Sequence, residues 1–263
     1  MNIIDSRIDG GKAFDWGRTS ADYAKFRDIY PQIFYDKIVD QGLCANGQRA
    51  LDIGTGTGVI PRNMYRYGAE WTGTDISANQ IEQAKLLAKR SDMNIEFYTV
   101  SAEDISYPDN SFDVITACQC FWYFDHKKVI PNLARMLKPH GNLLILYMAW
   151  LPFEDNIAEE SEKLVLKYNL NWSGAGEMRK PIWIPDEAYE CFALSKHEEY
   201  DLNVHFTKES WHGRMKACRG VGASLSEEEL HKWEFEHKAL LDEIAPDEFD
   251  ILHYAAYAIL EKK

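Results

Sequence analysis

Three glycines at alternate positions close the segment Ala50-Leu-Asp-Ile-Gly-Thr-Gly-Thr-Gly58, an apolar strand running into a turn ahead of a helical pattern. Glycine has no Cβ, so such a turn brings the backbone close to a ligand and takes conformations that a side chain would forbid. Gly54, Thr55, Gly56 and Gly58 are therefore candidates for holding a cofactor. A tight strand-to-helix turn without a ligand would use the same residues. Two features narrow the ligand. Position 59 is Val59, where a dinucleotide fingerprint carries its third glycine. Asp52, two residues before the first glycine, would face a pyrophosphate unfavourably but would help to hold an amino-acid ammonium.

A second carboxylate, Asp75, ends the run Trp71-Thr-Gly-Thr-Asp75, 23 positions after Asp52. At the carboxyl edge of a parallel sheet it would accept hydrogen bonds from both ribose hydroxyls of an adenosine. Capping the following turn is the alternative, and a nicotinamide dinucleotide would use such a carboxylate equally well. Ser101-Ala-Glu-Asp104 and Cys118-Gln-Cys-Phe-Trp-Tyr-Phe-Asp125 follow two further apolar runs. Ala102 and Glu103 are placed to frame an adenine, whereas Asp104 also suits an ordinary loop-stabilising role.

These residues need a scaffold that gathers strand ends. Short β-type runs at Arg49–Ile53, Glu70–Thr74, Ile95–Val100, Phe112–Ala117 and Leu143–Met148 alternate with helical patterns, which argues for parallel strands joined by crossover helices. The helices are expected at Val59–Tyr67, at Ala78–Lys89 behind a capping box of Ser77 and Gln80, and at Lys128–Leu137, kinked or started by Pro131. Residues 14–42 read as aromatic-rich and helical. After Ala149 an acidic helix (Asp155–Tyr168) and a Gly-, Trp- and Pro-containing loop form an insertion. Two more strands, Tyr200–Phe206 and His253–Leu260, flank a helix capped at Ser226 and running to about Ile244.

Taken in order, DIGTGTG, GTDIS, SAED, SFDVITACQCFWYFD and LARMLKPHGNLLI resemble the motif series of class I S-adenosylmethionine-dependent methyltransferases. The resemblance is to the small-molecule group that includes ubiquinone/menaquinone C-methyltransferases and trans-aconitate methyltransferase, and it covers residues 48–149. A weaker likeness lies at Tyr23–Pro31. It implies an α/β fold: a Rossmann-like, seven-stranded, mostly parallel sheet with helices on both faces and the last strand antiparallel. It also implies a single domain over 1–263, divided into an amino-terminal helical lid (1–47), a cofactor-binding core (48–149), a substrate-side insertion after the fifth strand (150–197) and closing strands and helix (198–263). Carried over by position, the methionine moiety of S-adenosylmethionine lies over Gly54 and Gly56, the ribose on Asp75, and the adenine near Ile76, Ala102 and Glu103. Cys118 and Gln119 line the methionine side, Gln80 joins the cofactor-binding set, and Tyr23 and Arg27 close over the cofactor. Asp28 departs from the proline that is frequent in those relatives.

Methyl transfer from a sulfonium is an in-line displacement, so alignment and exclusion of water matter most. A base is needed when the acceptor must lose a proton. His126 is the candidate base and Tyr123 a candidate positioning residue, since both follow the fourth strand; a solvent-exposed helix start accounts for His126 as well. His205, His212 and Arg214 would suit an anionic acceptor, although surface positions are expected for all three. Phe26 and Tyr30 are expected to pack the amino-terminal helix.

A net charge of −13 without a basic stripe argues against nucleic acid as a partner, and a small-molecule substrate is what the resemblance implies. Five scattered cysteines read as free thiols, with Cys118 and Cys120 too poor in matched partners for a metal. No run approaches the roughly 20 apolar residues of a membrane span, and a cytoplasmic location is expected. A nicotinamide-dependent oxidoreductase and a non-catalytic cofactor-binding module are the competing readings.

Overall fold

The structure is a computed structural model that describes residues 3–263. The chain divides into two compact units: one comprises Tyr30–Met148, Lys180–Tyr200 and Ala255–Lys263, and the other comprises the segment up to Ile29, Ala149–Arg179 and Asp201–Tyr254. Strands β1 (Arg49–Ile53), β2 (Glu70–Asp75), β3 (Glu96–Thr99), β4 (Phe112–Cys118), β5 (Leu137–Trp150), β6 (Phe192–Thr207) and β7 (Glu248–Lys262) form a seven-stranded sheet in the order β3-β2-β1-β4-β5-β7-β6. The first five pair in parallel, and β7 runs antiparallel to its neighbours. This is the expected Rossmann-like arrangement. Strand order reverses between β1 and β4, the place where open α/β sheets bind ligands.

The helices are α1 (Ser20–Phe26), α2 (Gln32–Val39), α3 (Val59–Met64), α4 (Ala78–Arg90), α5 (His126–Met136), α6 (Asn156–Tyr168), α7 (Ala188–Cys191), α8 (Lys208–Lys216) and α9 (Glu227–Ile244). Central strand β1 is buried along Ala50–Ile53, as a strand covered on both faces must be. Leu51, Ile53 and Ile115 join Leu133 of α5 and Phe192 in one core cluster, while Ile81, Ala84 and Ala88 of α4 enclose Phe97 in another. Each such large apolar side chain contributes roughly 1.5–3 kcal/mol by leaving water.

Several local expectations need correction. The helix foreseen over 14–42 is two helices, because Pro31 caps α2 and disfavours a helical residue before it. The Ser77 side chain makes no cap; its backbone N–H donates to Asp75 Oδ1 instead, at 2.8 Å. Helix α5 begins at His126 and carries Pro131 inside it. Helix α8, capped by Thr207 and Ser210, was not foreseen. The cap at Ser226 forms as expected, with Glu229 completing the box.

In the other unit, α6, α8 and α9 share a buried polar chain. Trp211 Nε1 and His237 Nε2 both reach Ser161 Oγ, at 2.9 and 3.0 Å, while Ser161 Oγ donates to the Ile157 carbonyl at 2.7 Å. Because the serine hydrogen is committed, His237 donates from Nε2 and accepts from His212 at Nδ1, 2.9 Å away. Asp9 and Arg219 form a buried ion pair at 2.8 Å, which Ser173 also joins. No helix among the described residues is long and apolar enough to cross a membrane.

Candidate active site

Strand register levels the ends of three strands. Asp52 lies opposite Gly73 of β2 and Thr116 of β4, and Ile53 lies opposite Thr74 and Ala117. The glycine turn, Asp75 and the Cys118–Gln119 segment thus leave the sheet side by side at its carboxyl edge. The turn is fixed by its backbone: Thr55 N–H donates to the Thr74 carbonyl of β2 at 2.8 Å, and Gly58 N–H to the Thr55 carbonyl at 2.9 Å.

Glycine is required here for two reasons. Gly54 has φ +62°, and a Cβ on it would lie 2.7 Å from Cys120 Sγ, so neither backbone nor neighbour admits a side chain. On β2, a Cβ on Gly73 would lie 2.7 Å from the Phe97 ring, which fills the space beneath the turn.

Asp52 is fully buried, and its two oxygens accept from Thr55 Oγ1 and Thr116 Oγ1, both at 2.6 Å. Burial pushes its carboxyl up to about 7 against the pull of both hydroxyls, and the nearby Asp75 adds to the rise. Asp75 accepts the Gly56 amide on Oδ2 at 2.9 Å and the Ser77 amide on Oδ1. Burial raises its pKa too, and the two amides oppose the rise. From Ala50 to Pro61 the sequence carries no basic residue, and Arg62 donates to the Thr57 carbonyl at 3.1 Å. Two carboxylates without a basic residue beside them suit the ammonium, the ribose and the sulfonium charge of S-adenosylmethionine. They supply little counter-charge for a diphosphate.

Other expected contacts lie around this edge. Ile76 is exposed, Gln80 and Ala102 are buried, and Ser101 Oγ donates to Asp104 Oδ2 at 2.7 Å within its loop. Glu103 Oε1 accepts the Asp125 amide at 2.9 Å and so ties the loop after β3 to the start of α5. Cys118 Sγ lies 3.5 Å from Tyr30 OH. Gln119 takes a left-handed backbone, φ +62°, and its side-chain amide is bonded to the Met148 carbonyl. Tyr30 packs on Phe34 with ring centroids 4.5 Å apart.

His126 is the first residue of α5. Its Nε2 lies 2.9 Å from the Phe121 carbonyl, an acceptor, so this nitrogen carries the hydrogen and Nδ1 the lone pair. The ring also meets Trp183 edge-on at 5.2 Å. Tyr123 stands in the short 3-10 turn Phe121–Tyr123, 5.6 Å from Trp122. Tyr23 and Arg27 lie in the other unit, where the Arg27 guanidinium covers the Tyr23 ring at 4.7 Å; their assignment to the cofactor rests on the resemblance. Of the residues expected at the surface, His205 is exposed beside Asp250, but His212 and Arg214 are buried. Helix α8, which turns them inward, has no strong apolar pattern to announce it. Thr116 and Cys120 were missed as site residues because strand pairing and a loop approach, not sequence spacing, bring them to Asp52 and Gly54.

Residues 51–145 match the family model described as a methyltransferase domain. A ubiquinone biosynthesis O-methyltransferase of Coxiella burnetii is 31% identical over 108 residues, which are 41% of this chain and 46% of that protein. One from Bradyrhizobium diazoefficiens is 34% identical over 149 residues, 55% and 56% of the two chains. The chain thus spans about half the length of the curated relatives it matches. In fold it resembles the crystal structure of the YcgJ protein of Bacillus subtilis, with TM-score 0.52, 21% identity and coverage of 87% and 98%. It also resembles a phosphoethanolamine N-methyltransferase of Haemonchus contortus solved with S-adenosylhomocysteine, with TM-score 0.54, 20% identity and coverage of 93% and 58%.

Proposed function

We propose that this protein, whose residues 51–145 match a methyltransferase-domain family model, transfers the methyl group of S-adenosylmethionine to a small-molecule acceptor. The observation that carries the proposal is the pairing of the Gly56 amide with Asp75 at the reversal of strand order, in a turn free of basic residues. Bound there, S-adenosylmethionine supplies an electrophilic methyl carbon on a positively charged sulfur.

The chain's own residues then have defined tasks. Gly54, Thr55, Gly56 and Gly58 present backbone to the methionine part, with Asp52 beneath them and Cys118 and Gln119 alongside. Asp75 keeps oxygen lone pairs for the ribose hydroxyls beyond those used by Gly56 and Ser77. Ile76, Ala102 and Glu103 border the adenine, and Gln80 completes the cofactor-binding set. His126 accepts a proton at Nδ1 where the acceptor must lose one, and Tyr123 helps to position it. Alignment and exclusion of water supply most of the rate. A cytoplasmic location belongs to the same proposal.

Calorimetric titration tests it. S-adenosylhomocysteine binds and NAD does not; binding of NAD with none of S-adenosylhomocysteine would return the fold to an oxidoreductase. Labelled product from S-adenosylmethionine and a metabolite extract separates an enzyme from a non-catalytic binding module, which gives none.

A further inference from the structure

Strand β6 ends the sheet, and among the described residues no strand lies beyond it. At 16 residues it is four times as long as β3, the 4-residue strand at the opposite edge. A long edge is a row of backbone donors and acceptors open to another chain, which soluble proteins usually keep short or cover. Ala193, Leu194, Ser195, Lys196 and His197 are exposed in succession, so both faces of the strand are open there.

Contacts with α2 and β7 set several side chains of this stretch in place. Lys196 Nζ donates to Gln41 Oε1 at 2.9 Å, just past the end of α2. Glu198 pairs with Lys37 and accepts from Tyr257 OH at 2.7 Å, and Lys37 Nζ lies 4.6 Å over the Tyr200 ring. Lys196, Glu198 and Tyr200 thus share one face, and Ser195, His197 and Glu199 take the other.

Charge selects what fits this edge. Two copies of the strand, related by a two-fold axis normal to the sheet, pair antiparallel with one residue facing itself on the axis. Placing Lys196, Glu198 or Glu199 there sets like charges against each other, which is unfavourable. Placing Ser195 there sets Lys196 against Leu194 and forms no ion pair. With His197 on the axis, Lys196 of each copy faces Glu198 of the other, and Leu194 faces Tyr200. Both ion pairs come from one sequence read in opposite directions. Joining β6 to β3 of another copy would instead match unlike edges and repeat without closing.

We propose that this chain forms a symmetric dimer in which β6 of two copies pair antiparallel about His197, continuing one sheet into the other. A single strand pair is a small interface, so the dimer is weak and forms as concentration rises. The edge stands four strands from β1, about 19 Å at the usual strand spacing, which keeps the glycine turn outside the interface.

Sedimentation of the full chain over a concentration series tests this. Wild type passes from monomer to dimer. His197→Lys and His197→Glu each put like charges on the axis and raise the dimer dissociation constant by roughly fivefold, the scale of one like-charge cross-strand pair. An equal mixture of the two variants sets opposite charges there and restores at least wild-type association. Because His197 is exposed and its contact with Glu199 is a loose 3.6 Å, both variants keep the wild-type circular dichroism and melting temperature. A monomer at every concentration, a dimer as strong in either variant as in wild type, or a mixture no stronger than the variants alone would each overturn the proposal.

Discussion

Gly56 donates its backbone N–H to Asp75 Oδ2 at 2.9 Å, joining the middle of the glycine turn to the end of the neighbouring strand. Asp75 Oδ1 meanwhile accepts from Ser77 at the start of α4. One carboxylate therefore holds the turn, the strand end and the helix start in a fixed relation.

Asp75→Ala is predicted to weaken S-adenosylhomocysteine binding by at least tenfold, since bonds to a charged acceptor contribute roughly 1.5–3 kcal/mol each. The fold should persist, with some loss of melting temperature from the two released amides. Calorimetry on a variant of native circular dichroism checks this, and unchanged affinity would remove Asp75 from the site.

Gly54→Ala forces a Cβ to within 2.7 Å of Cys120 Sγ at a backbone φ of +62°. Destabilisation of about 1–3 kcal/mol is predicted, with loss of cofactor binding. Cys120→Gly in the same chain should recover part of the stability and little of the binding, because the backbone strain remains. Full recovery of both in the double variant would contradict this.

The main site motifs were readable because they are local: a glycine turn, a carboxylate ending a strand, and alternating strands and helices all lie within short windows. The parallel strands followed from that alternation, and the seven-stranded sheet with an antiparallel last strand from the resemblance; the order of the strands did not. What escaped the sequence depends on distant segments. Thr116 reaches Asp52 only through β1–β4 pairing, and the Phe121 carbonyl selects the His126 tautomer only once the turn after β4 is formed. His212 and Arg214 read as surface residues because α8 is mostly polar, with Trp211 and Met215 as its two large apolar side chains. Ser77 read as a cap because its spacing to Gln80 is right, but Asp75 competes for its amide from two residues away.

Stability should change with pH in opposite senses in the two units. Asp52 rises from 3.8 to about 7 on folding, chiefly by burial. Between these values the folded chain retains a proton that the unfolded chain has lost, so stability falls as pH rises from about 4 to about 7, by on the order of 4 kcal/mol at most. Asp52→Asn should remove that slope in denaturation curves taken across this range. The same slope in the variant would show that Asp52 is not its source.

His212 and His237 are lowered from 6.5 to about 4 and about 3, chiefly by burial. Here the unfolded chain takes up protons that the folded chain refuses, so their contribution is intact above about pH 6.5 and declines as pH falls toward 4. A His212→Gln, His237→Gln double variant should show a shallower acid limb than the wild type. An unchanged limb would assign acid sensitivity elsewhere.

The most direct measurement is a crystal structure of the protein with S-adenosylhomocysteine. The account predicts density along the carboxyl ends of β1 and β2, with the methionine part over Gly54 and Gly56 and both ribose hydroxyls within hydrogen-bond distance of Asp75. Ligand density elsewhere, or at this edge with Asp75 still bonded only to Gly56 and Ser77, would contradict it.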